Sequence, residues 1–133
     1  MKEVGVSLVG LGAVGSRVLQ ILLDREETLR SKYGLSFRVR SVADSSGVAL
    51  SEEGFDLQRL IDLKRDGGRL AELPEHLNGD TVTTALDEVG HDVLLEASPV
   101  DLDSGEPGVS NARAALERGV HLVLANKAPL ALA

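Results

Sequence analysis

The chain has 133 residues, 14 basic against 21 acidic, for a formal charge of −7, with no Cys, no Trp and only Tyr33, Phe37 and Phe55 as aromatics. That length fits one domain with an ordinary core, and the missing cysteines exclude a disulfide framework, a thiolate nucleophile and a Cys-based zinc site. The acidic balance argues against nonspecific nucleic-acid or anionic-membrane binding, aromatic scarcity argues against a base-stacking platform, and the absence of an apolar run near ~18–20 residues or of a signal peptide at Met1-Lys2-Glu3 points to a cytoplasmic protein.

Short β-branched runs alternate with longer helical periods, which predicts an α/β chain with a doubly wound, mainly parallel sheet of about five strands. Val4–Val9 reads as a first strand buried on both faces and ending at Gly10. From Ala13 to about Arg30 the apolar residues follow a helical period, so one long helix is expected, with Gly34 as a stop. Residues 37–43 read as a second strand running into the loop Asp44-Ser45-Ser46-Gly47. Asp56 is placed to cap a short helix over 57–64. Arg65 to Asp80 is punctuated by Gly, Pro and Asn78-Gly79 and reads as irregular. Thr81-Val82-Thr83 is taken as a weak third strand, followed by a helical turn at Leu86 and Val89. Residues 93–97 form the next strand, 109–118 a helix ended by Gly119, and 120–125 the last strand.

Gly10-Leu11-Gly12-Ala13-Val14-Gly15 fits G-x-G-x-x-G between a predicted strand and a predicted helix. In that setting each glycine has a physical task. Gly10 permits a tight turn, Gly12 lets the backbone approach a pyrophosphate, and Gly15 lets helix and strand pack closely. The helix N-terminus then offers free N–H groups and a partial positive charge to phosphates. The competing reading is a glycine-rich turn without a ligand.

Asp44 closes the second strand, where an acid accepts hydrogen bonds from a ribose. It stands further from the glycines than the usual ~20 residues, and a turn residue is the alternative. An acid there leans the cofactor towards NAD, while Ser45, Ser46, Lys64 and Arg65 leave NADP open. Ser98 and Pro99 follow the fourth strand at the edge where open α/β sheets bind ligands, with an ordinary Ser-Pro loop start as a nearly equal alternative. Glu96 is an acid in an apolar strand, and a structural hydrogen-bonding role fits it better than catalysis. Asn126 and Lys127 follow the last strand. A lysine there would hold a substrate oxygen and stabilise developing negative charge, although spacing alone favours an ordinary solvated lysine. His76, His91 and His121 are scattered without metal-ligand spacing, so no metal site is expected.

Three segments together resemble one family: Val9–Gly15, Val42–Gly47, and Glu96–Pro99 through Asp103–Pro107 to Ala125-Asn126-Lys127-Ala128-Pro129-Leu130. They are similar to the Rossmann-type nucleotide-binding domain of homoserine dehydrogenases, and the likeness covers essentially the whole chain. The resemblance implies an oxidoreductase that reduces aspartate β-semialdehyde to homoserine with NADH or NADPH, in threonine and methionine biosynthesis. It gives Lys127 a place beside nicotinamide and substrate, and gives the 11–15 turn and Ser98 cofactor contacts. Family members carry a second, substrate-binding and dimerising domain downstream. Residues 1–133 are therefore expected to be one cofactor-binding domain of a longer, homodimeric enzyme, inactive alone. The alternatives are a non-catalytic NAD(P)-sensing module or another small semialdehyde or amino-acid dehydrogenase.

Overall fold

Strand β1 (Lys2–Val9) is the centre of the sheet, and Val4–Leu11 is buried without interruption. The computed structural model describes residues 2–77, 79, 81–99, 101 and 103–125. After β1 come α1 (Ala13–Asp24), α2 (Glu26–Tyr33), β2 (Leu35–Asp44), β3 (Gly47–Leu50), α3 (Leu57–Arg65) and β4 (His76–Leu77). Then follow α4 (Val82–Glu88), β5 (Val93–Glu96), α5 (Gly108–Glu117) and β6 (His121–Leu124). The sheet has six strands in the order β4-β3-β2-β1-β5-β6. β2, β1, β5 and β6 run parallel, whereas β3 and β4 are antiparallel additions at one edge.

The strand alternation sorts the core into two halves. Val4, Val6 and Leu8 face α1 and α3, joining Leu19, Leu60 and Leu70. Val9 belongs to the other face, with Val82, Ala85 and Leu86 of α4 and Ala114 and Ala115 of α5. On β2 the residues facing the first core are Val39 and Val42, three apart, which a regular strand cannot achieve. The register supplies the reason. Val6 pairs with Val39 but Ser7 pairs with Ser41, so Arg40 is an extra, bulged residue.

Four expectations change. The long first helix is two helices meeting at Arg25: α1 carries the buried Gly15 and Leu19, while α2 is polar and buries nothing. Residues 81–83 are not a strand. Thr81 caps α4 through its Oγ1, and Val82, Ala85 and Leu86 take the helical spacing of a buried face. Asp44–Gly47 is a hairpin turn rather than a loop, with Gly47 at φ +141°. The sheet therefore gains β3, and residues 65–80 contribute β4, which raises the strand count from about five to six. Gly34 ends α2 in the left-handed conformation, and Asp56 caps α3 by accepting from Gln58 and Arg59 N–H, both as expected.

A polar chain, buried at Ser7 and Ser41 and partly buried at His91, joins β1, β2 and the segment before β5. Ser41 Oγ donates to Ser7 Oγ at 2.7 Å and lies 3.0 Å from His91 Nε2, while His91 Nδ1 is 2.9 Å from the Val89 carbonyl. A carbonyl only accepts, so Nδ1 carries a hydrogen. Burial pushes the His91 pKa below its ordinary value, against the Val89 carbonyl and with help from the nearby Arg40 charge. The folded chain thus takes up this proton at lower pH than the unfolded chain does. The stability involved is complete above about pH 6.5 and declines as the pH falls towards the folded value. The urea midpoint is expected to drop between about pH 7 and about pH 5, and His91→Gln is expected to flatten that slope. An unchanged slope in the variant would assign the drop to other groups.

Candidate functional site

The carboxyl ends of β2, β1 and β5 meet where the connections diverge to opposite faces of the sheet, the usual ligand position in such folds. β1 leads straight into the glycine turn. Gly10 N–H donates to the Ala43 carbonyl at 2.8 Å, and Ala97 N–H donates to the Val9 carbonyl at 2.7 Å, so the three strand ends are pinned together. Gly10 sits at φ +97°, and a Cβ there would lie 2.5 Å from the Ala97 carbonyl and 2.6 Å from Ser98 N. Only glycine satisfies both conditions. A Cβ on Gly15 would lie 1.8 Å from the Gly10 carbonyl oxygen, so α1 rests directly on the turn.

Gly12 differs from both. It is the residue preceding α1, no side chain caps the helix through it, and a Cβ on it would meet nothing within 4 Å. The first bond along the helix runs from Ser16 N–H to the Gly12 carbonyl at 2.9 Å. The N–H groups of Ala13, Val14 and Gly15 come before it and find no partner inside the helix. Leu11 is buried, Ala13 and Val14 are exposed, and the first turn holds no acidic side chain. An uncapped, uncrowded helix end of this kind is built to receive an anion.

Asp44 lies at the end of β2, on the same edge, with its side chain 7% exposed. Its Oδ1 accepts from Ser46 N–H at 2.8 Å and Ser46 Oγ at 2.5 Å, and its Oδ2 accepts from Lys64 Nζ at 3.1 Å and Leu70 N–H at 2.9 Å. Burial alone would raise its pKa, but the hydrogen bonds from Ser46, Leu70 and Lys64 outweigh that and hold the carboxyl below the ordinary value. Asp44 therefore organises its own turn, the alternative reading of its position. Ser45 is exposed at the tip of that turn.

At the end of β5, Glu96 is fully buried and Ser98 is 7% exposed. Glu96 Oε1 accepts from Ser98 N–H at 2.9 Å and from Ser98 Oγ, and Glu96 Oε2 accepts from Asn111 Nδ2 at 2.9 Å. The structural role expected of Glu96 is what the geometry shows, and Pro99 follows on the exposed side. Ala125 N–H donates to the Glu96 carbonyl at 2.9 Å, which aligns the end of β6 with β5. Asn126 and Lys127 come next in sequence and lie outside the described residues.

The fold thus brings the glycine turn, Asp44 and Ser98 to one edge. Two partnerships escaped the sequence: Lys64 with Asp44, and Asn111 with Glu96. The only advance signal was the oddity of an acid in an apolar strand. Among the described residues there is no cluster of His, Asp and Glu able to hold a metal, and no helix long and apolar enough to cross a membrane.

Comparison with known proteins agrees with this arrangement. Residues 10–133 match the family described as homoserine dehydrogenase, NAD binding domain. The chain is 34% identical over 127 residues to the homoserine dehydrogenase of Methanocaldococcus jannaschii, which covers 96% of this chain and 38% of that protein. It is 32% identical over 133 residues to the NAD(+)-dependent homoserine dehydrogenase of Pseudomonas canavaninivorans, covering 99% of this chain and again 38% of the relative. The chain therefore spans little more than a third of the length of these curated relatives. Its fold is that of a hyperthermophilic archaeal homoserine dehydrogenase solved in complex with NADPH, with a TM-score of 0.78 at 24% identity over 98% of this chain and 38% of that one. The chain belongs to the homoserine dehydrogenase NAD-binding domain family.

Proposed function

We propose that this chain is the cofactor-binding part of a homoserine dehydrogenase, which reduces aspartate β-semialdehyde to homoserine. The observation that carries this reading is the glycine turn: two glycines are locked by packing and the third, Gly12, is open towards an uncapped helix end. The dinucleotide, when bound, supplies the hydride donor or acceptor at its nicotinamide ring. The N–H groups of Ala13, Val14 and Gly15 would hold its pyrophosphate. They would do so largely unaided, because a chain of net charge −7 offers no basic field. Asp44 and the Ser45 turn would border the adenosine ribose, and Ser98 and Pro99 the nicotinamide half. Asn126 and Lys127 complete the proposed site. Lys127 would hold the substrate carbonyl oxygen and stabilise its negative charge as hydride arrives. The relatives' additional length supports a further reading, that substrate binding, dimerisation and turnover need more than these 133 residues.

An acid at the ribose disfavours a 2′-phosphate, a preference shared by the relative named NAD(+)-dependent and not by the archaeal relative solved with NADPH. Calorimetric titration of the folded chain is expected to show NADH binding about tenfold or more tighter than NADPH. Tighter NADPH binding would overturn the reading of Asp44, and no binding of either at millimolar cofactor would overturn the function.

The glycines predict a separation of fold from binding. Gly12→Ala, at φ −76° and with free space around it, is expected to keep the melting temperature within a few degrees while weakening cofactor binding about tenfold or more. Gly15→Ala drives a methyl into the Gly10 carbonyl and is expected to lower the melting temperature as well.

In an enzyme of the relatives' full length carrying this domain, Lys127→Ala is expected to lower kcat by about a hundredfold or more while changing cofactor Kd little, since the contact strengthens as charge develops. An equal loss in both quantities would make Lys127 a cofactor-binding residue only.

A further inference from the structure

Among the described residues Glu96 is the one charged residue with no exposed surface, and it sits where the proposed nicotinamide half of the cofactor begins. Its carboxyl joins two elements. One oxygen takes Ser98 N–H and Oγ, and the other takes the Asn111 side-chain amide from α5. The N–H held by Glu96 belongs to the Ala97–Ser98 peptide. That same peptide lies flat against Gly10, where a Cβ would approach its atoms to 2.5 and 2.6 Å. One buried side chain therefore fixes the face of the peptide that the glycine turn rests on, and ties it to a helix on the far side of the sheet.

A hydrophobic residue at this strand position would pack the core at lower desolvation cost. The carboxyl is useful because all its contacts are donors: it accepts at both oxygens, and no neutral side chain of this size does so. From this geometry we infer that Glu96 is a positioning residue for the cofactor: by clamping Ser98 between β5 and α5, it sets the wall against which the nicotinamide half is held. The inference rests on the cofactor reading of the glycine turn. Glu96 has no exposed surface with which to meet a ligand, so it acts through Ser98.

Glu96→Gln tests it. The carboxamide puts an NH2 group against either Ser98 N–H or the Asn111 amide, and the clash frees one side of the clamp. Asn111→Asp in the same chain turns the partner into an acceptor, so the Glu96→Gln, Asn111→Asp pair reverses the donor and acceptor roles and restores the bridge. The binding of NADH and of ADP-ribose, which lacks the nicotinamide, is measured by calorimetry on the 133-residue chain and both variants. Glu96→Gln is expected to weaken NADH about tenfold and ADP-ribose less than about threefold, and the pair is expected to return NADH affinity to near the unaltered value. Parallel losses for both ligands, no loss of NADH, or a folded pair that stays weak for NADH would each overturn the clamp. Should Glu96→Gln fail to fold, Asn111→Ala takes its place: it frees the α5 side of the clamp and leaves the Ser98 side intact, and it is expected to weaken NADH more than ADP-ribose, whereas parallel losses or no loss would overturn the clamp. An unaltered, folded chain that binds neither ligand overturns the cofactor reading and the clamp together. Binding by the unaltered chain with unmoved variants overturns the clamp alone.

Discussion

The structure depends on how closely α1 approaches the turn that precedes it. The 1.8 Å between the Gly10 carbonyl oxygen and a Cβ on Gly15 means that any other residue at position 15 forces helix and strand apart. That contact fixes the direction in which α1 leaves β1. The direction in turn delivers Leu19 to the same core as Leu8 and Leu60, and aims the open N-terminus of α1 across the sheet's carboxyl edge. Packing and ligand geometry are thus set by one constraint. The glycines that look like a binding signature are, at positions 10 and 15, equally a requirement of the core.

The two cores hang on β1 and β2 in different ways. β1 alternates without interruption, while β2 carries an extra residue at Arg40. The bulge lets β2 present Val39 and Val42 to one face and Ser41 and Ala43 to the other. Arg40 itself reaches out to the Gly90 carbonyl and to Glu3, so the extra residue ends in a polar anchor at the amino end of the sheet. Below the glycine turn, then, the sheet is tied at both ends: by charged groups at one and by backbone hydrogen bonds from Gly10 and Ala97 at the other.

Much of this was legible in the residues. β1, the turn and the start of α1 are local features, each with its own period or glycine signature, and they emerged with nearly correct bounds. The Asp56 cap and the Gly34 stop are likewise local. The failures are non-local or ambiguous. Thr81-Val82-Thr83 has β-branched residues that suit a strand, and only the packing of Val82, Ala85 and Leu86 against the second core makes them helical. The β2–β3 hairpin was hidden because Asp44-Ser45-Ser46-Gly47 reads equally as a loop, and β3 is only four residues long. Nothing in the sequence names Lys64 or Asn111 as partners, since they meet their carboxylates across 20 and 15 residues of sequence; only the oddity of Glu96 in an apolar strand hints that one exists.

The crowding around the Asp44 carboxyl has a consequence for selectivity. Its oxygens already hold four donors, from Ser46, Lys64 and Leu70. In the proposed complex a ribose hydroxyl exchanges with one of these donors rather than adding to them, and such an exchange is close to neutral in free energy. A phosphate in the same place sets its negative oxygens against the Asp44 carboxylate, whose cationic partner Lys64 is already engaged, and gains no compensating exchange. Selectivity at this end then comes from rejecting the wrong dinucleotide, with little extra grip on the right one. The affinity itself is left to the helix end, where N–H groups without partners in the helix give up only water to meet an anion.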